Sequence, residues 1–249
     1  MKNNFKKELN IAKKAAMTAG KFLKKNKEML NKTLTSSNKD LKLKADIESE
    51  EIIKDIISDE SDINILGEES GLKLHNSFKY LWVVDPLDGT ANYSRDIPFS
   101  CVSIALLSNF KPILGVIYNF NNDELYEGSI NTKACLNQVE ISVSNISNTN
   151  EGILITGLPN DTDFSDNAMH KMIKNFQSWR KVRMIGSAAL ASAYVASGKA
   201  DMYMENKSYL WDVAAGAAIV NAAGGIALLT NQNEKFQVDV CFSNSLIKT

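Results

Sequence analysis

Asp85 and Asp88 flank Pro86–Leu87 in Asp85-Pro86-Leu87-Asp88-Gly89-Thr90, directly after the apolar run Tyr80–Val84. That run is rich in aromatic and β-branched side chains and predicts a short, fully buried strand ending on Asp85. Pro86 has no backbone donor and a fixed φ, whereas Gly89 is free to turn either way. Such a turn can aim both carboxylates at one point beyond the strand, with the Leu87 carbonyl between them. Carboxylates that close repel unless a cation separates them, and Mg²⁺ suits an all-oxygen donor set. The Gly89 and Thr90 amides would lie beside such cations, ready for an anion. The chemistry implied is a phosphate site. The structural alternative is a turn whose acids cap the next helix, and Asp88 taken alone fits that alternative better.

Four further acids could join this pair. Glu68 lies in Gly67-Glu68-Glu69-Ser70 after a short apolar run; alone, an exposed Glu is more often solvated than ligating. Asp212, in Trp211-Asp212-Val213-Ala214-Ala215-Gly216, opens an apolar helix. An N-cap role there is compatible with a ligand role, because a capping carboxylate is also fixed in place. Asp46 opens another helix and is either its N-cap or a base. A threonine hydroxyl such as Thr90 is a weak base alone, but bonded to a carboxylate it can orient a water and relay its proton. Glu205 ends a strand and is either a surface acid or a substrate contact.

Together GEES (67–70), DPLDGT (85–90) and WDVAAG (211–216) resemble, in order and at matching intervals, the motifs of the inositol monophosphatase family of Mg²⁺-dependent, Li⁺-sensitive phosphatases. The resemblance runs from about Asp40 to Gly225. It implies an α+β fold, the layered αβαβα sandwich of the inositol monophosphatase and fructose-1,6-bisphosphatase type. It also implies two to three Mg²⁺ ions on Glu68, Asp85, the Leu87 carbonyl, Asp88 and Asp212, with Glu68 serving a weaker third site that assists catalysis. Phosphate would meet the Gly89 and Thr90 amides. The Asp40-to-Asp46 spacing matches the family's D-x-x-x-x-x-D pattern and makes Asp46 the partner of Thr90. Ser187 and Ala188, after Gly186, resemble the family's G-[ST]-A pocket stretch, and Glu205, seven residues before Asp212, matches a sugar-binding glutamate. The implied substrate is myo-inositol monophosphate or a similar small polyol or sugar phosphate. Alternatives are 3′-phosphoadenosine 5′-phosphate, fructose 1,6-bisphosphate, histidinol phosphate, or a protein-binding regulatory role. Relatives are commonly homodimers, so a homodimer is expected. Two departures stand out: Asn137–Gln138 replaces the family's Asn-Gly turn, and the sequence ends at Ile247-Lys248-Thr249, where the resemblance implies a closing helix.

The elements that must position these groups are legible in part. Phe5, Leu9, Ala12, Ala16, Ala19 and Leu23 recur at alternating four and three, predicting a long amphipathic helix. Asp40 to Lys44 alternates like a half-exposed strand, and Ile52, Ile53, Ile56 and Ile57 mark a helix starting near Asp46. Strands are expected at 63–66, 99–107, 112–118, 124–129, 133–136 and 139–143. The Ser- and Asn-dense stretch 144–151 separates an N-terminal α+β subdomain, 1–145, from a C-terminal α/β subdomain, 146–249. In the second, strands at 153–156, 180–184, 201–205 and 226–229 alternate with helices at 167–177, 187–196 and from Asp212.

The 249 residues suffice for a substantial core, with 44% apolar and 23% charged side chains and a formal charge of −1. That balance speaks against nucleic acid or a membrane as the main ligand. The first 50 residues hold 13 lysines against 6 acids, a surplus of +7, leaving −8 for the remainder. Lys7, Lys14, Lys21 and Lys25 lie opposite the apolar stripe, as on a solvated face. Cys101, Cys135 and Cys241 have no CxxC spacing and suit a reducing compartment, and His75 and His170 are too few for a His-rich zinc site. Val213 to Gln232 is uncharged, but Asn221 and Gly224–Gly225 interrupt it, so it predicts a buried helix then a strand. The expectation is a cytoplasmic protein.

Overall fold

In the computed structural model the four-and-three stripe forms α1 (Lys6–Lys25), with Ala12, Ala16, Ala19 and Leu23 buried alongside Ile11 and Ala15. The structure describes residues 5–36, 41–72, 79–159 and 162–247, without the side chain of Leu41. Of the residues singled out above, Asp40, His75, Lys248 and Thr249 lie outside the described residues. A single-turn helix α2 (Lys27–Leu30) leads to the hairpin β1 (Thr33–Ser36) and β2 (Leu41–Leu43), and then to α3 (Lys44–Glu60).

An eight-stranded sheet follows. It contains β3 (Ile65–Gly67), β4 (Gly71–Leu72), β5 (Tyr80–Asp88), β6 (Cys101–Ser108), β7 (Lys111–Asn119), β8 (Glu124–Ser129), β9 (Thr132–Leu136) and β10 (Val139–Glu140), with the short α4 (Thr90–Ser94) after β5. The order is β10-β9-β8-β7-β6-β5-β3-β4, antiparallel except for the β3–β5 pair. The C-terminal part comprises β11 (Ile153–Thr156), α5 (Asp166–Gln177), β12 (Lys181–Arg183), α6 (Ala188–Ala196), β13 (Met202–Tyr209), α7 (Leu210–Ala222), β14 (Ile226–Thr230) and β15 (Gln237–Ser243). Its five strands run in the order β12-β11-β13-β15-β14.

The side chains of β5 show how the layers stack. Trp82 and Val84 join a core with α1 and α3, whereas Leu81 and Val83 join one with α6, α7 and the inner face of the five-stranded sheet. A strand buried on both faces reads as a continuous apolar run, which is why 80–84 lacks alternation. On the outer face of the second sheet, Leu154, Trp179, Met202 and Ile247 collect half-buried Phe176 of α5. The result is the expected α+β sandwich of five layers, helix, sheet, helix, sheet, helix. The uncharged stretch from Val213 is the remainder of α7 followed by β14, with α7 buried on every side from Val213 to Val220 because sheets cover both its sides.

Several expected boundaries move. β5 does not stop at Asp85 but continues through Pro86 to Asp88, with an irregular register against β6 between Asp85 and Asp88. A bulge is where a strand tolerates a proline, whose missing N–H would otherwise break the ladder. β13 runs past Glu205 to Tyr209 through a similar irregularity. The strand expected at 139–143 is only Val139–Glu140, and the polar, exposed β1 carries no apolar signal. Asn137 and Gln138 turn the β9–β10 hairpin with φ 48° and 70°, so the turn keeps left-handed geometry without glycine.

Candidate active site

Three chain segments bring the predicted carboxylates within electrostatic reach of one another. Asp85 and Asp88 ride on the bulged end of β5, Glu68 on the turn after β3, and Asp212 in the first turn of α7. The parallel pairing of β3 with β5 puts Gly67 beside Val84, and the Glu68 amide donates to the Val84 carbonyl at 3.2 Å. Burial drives the Asp85 carboxyl well above the usual range, and the charges of Glu68, Asp88 and Asp212 push it the same way. Asp212 is likewise raised well up, by burial first and then by Glu68 and Asp88. Carboxylates from separated segments that raise one another's pKa lie within electrostatic reach.

Each acid also has a local partner. Asp88, raised mainly by burial, accepts from the Ser187 hydroxyl, the Ala189 amide at 2.9 Å and the Ala188 amide at 3.3 Å. Ser187 is the N-cap of α6, accepting from the Leu190 amide at 3.2 Å, so the predicted pocket residues Ser187 and Ala188 here hold Asp88. Asp85 Oδ1 accepts from the Leu87 amide at 3.0 Å. Among the described residues no three such groups close on one point as a finished metal cage. The donor set nevertheless fits divalent cations. It is all oxygen, Asp85, Leu87 and Asp88 are buried, Asp212 is half-buried and Glu68 exposed at the rim, and Asp85, Asp88 and Asp212 have no Lys or Arg ion pair among the described residues.

Asp46 and Asp212 are not N-caps, the role their place in the sequence suggests for both. Each is the third residue of its helix and receives the N-cap amide on Oδ2, from Leu43 at 2.6 Å and from Tyr209 at 3.1 Å. Leu43 and Tyr209 cannot cap with a side-chain acceptor of the usual kind, so the acid reaches back. Asp46 Oδ1 is thereby left for the Thr90 hydroxyl, at 2.9 Å; Thr90 Oγ1 also lies 3.0 Å from the Leu87 carbonyl. Burial pushes the Asp46 carboxyl up to about 6 despite the Leu43 and Thr90 hydrogen bonds. Gly89, at φ 84°, is the N-cap of α4, and the amides that open a helix have no acceptor within it.

A pocket of about 210 Å³ adjoins Asp88 and Asp212, lined further by Thr156, Gly157, Ser187, Ala188 and Glu205. Burial pushes Glu205 up to about 7, against the lowering effect of the Ser208 hydroxyl, which donates at 2.9 Å. Gly157 makes room for this acid: a Cβ there would stand 2.1 Å from Glu205 Oε2. Sequence reasoning misses Gly157, because a lone glycine after a strand is an ordinary turn signal. It also misses Asn92, whose amide nitrogen donates to the carbonyls of Phe99 (2.8 Å), Ile185 (2.8 Å) and Gly186 (3.0 Å). Asn92 thus fastens the segment after DPLDGT to the segment leading into α6.

A family model described as the inositol monophosphatase family matches residues 5–246. The chain belongs to the inositol monophosphatase family. As a member it is a phosphoric monoester hydrolase. Among its relatives, the "Nus factor SuhB" of Xylella fastidiosa is 38% identical over 221 residues, covering 87% of this chain and 80% of the relative. The "Inositol-1-monophosphatase" of Synechocystis is 39% identical over 189 residues, 75% of this chain and 66% of that protein. The structure of inositol monophosphatase from Anabaena superposes with a TM-score of 0.85 at 34% identity, covering 97% of this chain and 92% of that one. Among the described residues no helix is long and apolar enough to cross a membrane.

Proposed function

We propose that this inositol monophosphatase family member hydrolyses a small polyol or sugar phosphate, inositol monophosphate first among them, with Mg²⁺ as cofactor. The supporting observation is the convergence of Glu68, Asp85, Asp88 and Asp212 from three segments beside the Thr90–Asp46 pair. Divalent cations held by Glu68, Asp85, the Leu87 carbonyl, Asp88 and Asp212 would supply Lewis-acid charge neutralisation and a lowered pKa for the attacking water.

The chain's own groups do the rest. Thr90 Oγ1 takes a proton from the attacking water as its own passes to Asp46 Oδ1, so the net change is one proton on Asp46. The Gly89 and Thr90 amides, at the start of α4, bind phosphate oxygens. Ser187 and the α6 amides keep Asp88 oriented, and Glu205 hydrogen-bonds a hydroxyl of the leaving group within the pocket. Ala188 lines the same space. The division into subdomains 1–145 and 146–249, a cytoplasmic setting and a homodimer belong to the same reading.

The test is phosphate release from a panel of esters with Mg²⁺, with and without Li⁺, comparing wild type with Asp88→Asn. Release by wild type, loss in Asp88→Asn and inhibition by Li⁺ support the reading; no release from any ester in wild type overturns it. A regulatory protein-binding role draws support from the likeness to a protein named as a Nus factor. The basic α1 adds little to it. Lys13, Lys14, Lys7 and Lys24 are bonded to Glu127, Glu60, the Glu60 carbonyl and the Asn121 carbonyl of the same chain.

A further inference from the structure

The inner face of α3 carries more than Asp46. Ser49 and Glu50 follow at i+3 and i+4, the spacing that aligns side chains on one helix face. All three are buried polar residues, exposed by 2%, 0% and 3% respectively. Each bonds to a different segment of the site. Asp46 Oδ1 receives Thr90 of α4; the Ser49 hydroxyl donates to the Pro86 carbonyl at 2.9 Å; Glu50 Oε2 accepts from the Glu69 amide at 2.8 Å. Pro86 lies between Asp85 and Leu87, and Glu69 adjoins Glu68. Gly67 completes the fit, since a Cβ there would lie 2.5 Å from Glu50 Oε2.

We infer that Ser49 and Glu50 are positioning residues that make α3 a ruler for the metal-ligating backbone. Glu50 fixes the Glu68–Glu69 turn, and Ser49 fixes the bulge of β5 that presents Asp85, the Leu87 carbonyl and Asp88. Burying a hydroxyl and a carboxylate is unfavourable unless both are hydrogen-bonded, and a plain apolar contact would hold α3 on the sheet equally well. Their positions make sense as orienting contacts, because supporting hydrogen bonds set how well ligands meet a cation. This inference rests on the reading of Glu68, Asp85, Leu87 and Asp88 as ligands.

The experiment titrates the full chain with Mg²⁺ and Mn²⁺ by calorimetry, without substrate, and follows phosphate release against Mg²⁺. Ser49→Ala and Glu50→Ala should raise the half-saturating metal concentration by about 10- to 100-fold. Rates at saturating Mg²⁺ should stay near wild type, whatever stability the lost buried hydrogen bonds cost. Glu50→Gln retains an oxygen acceptor for the Glu69 amide and should restore affinity. If Glu50→Ala does not fold, Ser49→Ala decides the matter. Wild-type metal affinity in Ser49→Ala or in folded Glu50→Ala overturns the inference and leaves the phosphatase reading standing. A wild-type chain that neither binds these cations nor releases phosphate overturns both.

Discussion

Asp46 and Asp212 occupy the same place in two different helices, third from the start, each with Oδ2 on the amide of the residue before the helix. One oxygen anchors the carboxylate to its own helix and the other remains for the site. A carboxylate held this way cannot rotate without uncapping the helix, so the site's geometry and the helix start are secured together.

That relationship gives a pH signature for Asp46. Relay through Thr90 needs the carboxylate, so the rate of phosphate release should rise with pH through about 6 and then level off. The stability sign is opposite. A carboxyl whose folded pKa stands above its ordinary 3.8 favours folding below that value and loses the contribution as pH rises towards 6. Asp46→Asn should therefore be inactive yet more stable than wild type at pH 8 by at most about 3 kcal/mol, read by urea unfolding in EDTA.

Asp88→Asn keeps the size of the side chain but replaces an acceptor by a donor that must face Ser187 and the α6 amides. Phosphate release should fall by about 100-fold or more. Circular dichroism should remain that of the folded protein.

Gly157→Ala introduces a methyl group where Glu205 Oε2 now sits. The carboxylate must swing away from the pocket, so KM for a polyol phosphate should rise by about 10-fold while the Mg²⁺ requirement stays unchanged. Steady-state kinetics at several Mg²⁺ concentrations separates the two. An equal change in metal requirement would place Glu205 in the metal site instead.

Removing the Asn92 clasp leaves the carbonyls of Phe99, Ile185 and Gly186 without this donor. Asn92→Ala should lower stability by about 1–3 kcal/mol and reduce the rate as well, because Gly186 leads directly to the α6 cap that holds Asp88. Chemical denaturation and initial rates measure the two effects.

Gln138→Gly should act the other way. Gln138 sits at φ 70°, a region costly for any side chain, in an exposed hairpin far along the sheet from β5. Stabilisation of about 0.5–1 kcal/mol is expected with activity unchanged, checked by thermal unfolding and a rate assay.

Local pattern is enough to read most elements and the chemistry they can carry. The stripe of α1, the doubly buried run of β5, the uncharged part of α7 from Val213 and the acid-rich DPLDGT turn are each local patterns, where side-chain period and turn chemistry act directly. Strand limits are less legible: a bulge lets β5 pass Pro86, and the polar, exposed β1 offers no apolar period. Which distant groups meet is a matter of the assembled fold alone. Pairing of β3 with β5 brings Glu68 to Asp85, the start of α6 reaches Asp88, and Gly157 yields its space to Glu205. Those meetings depend on strand order and helix docking, which are set by burial of whole faces and leave no local mark on the residues that come together.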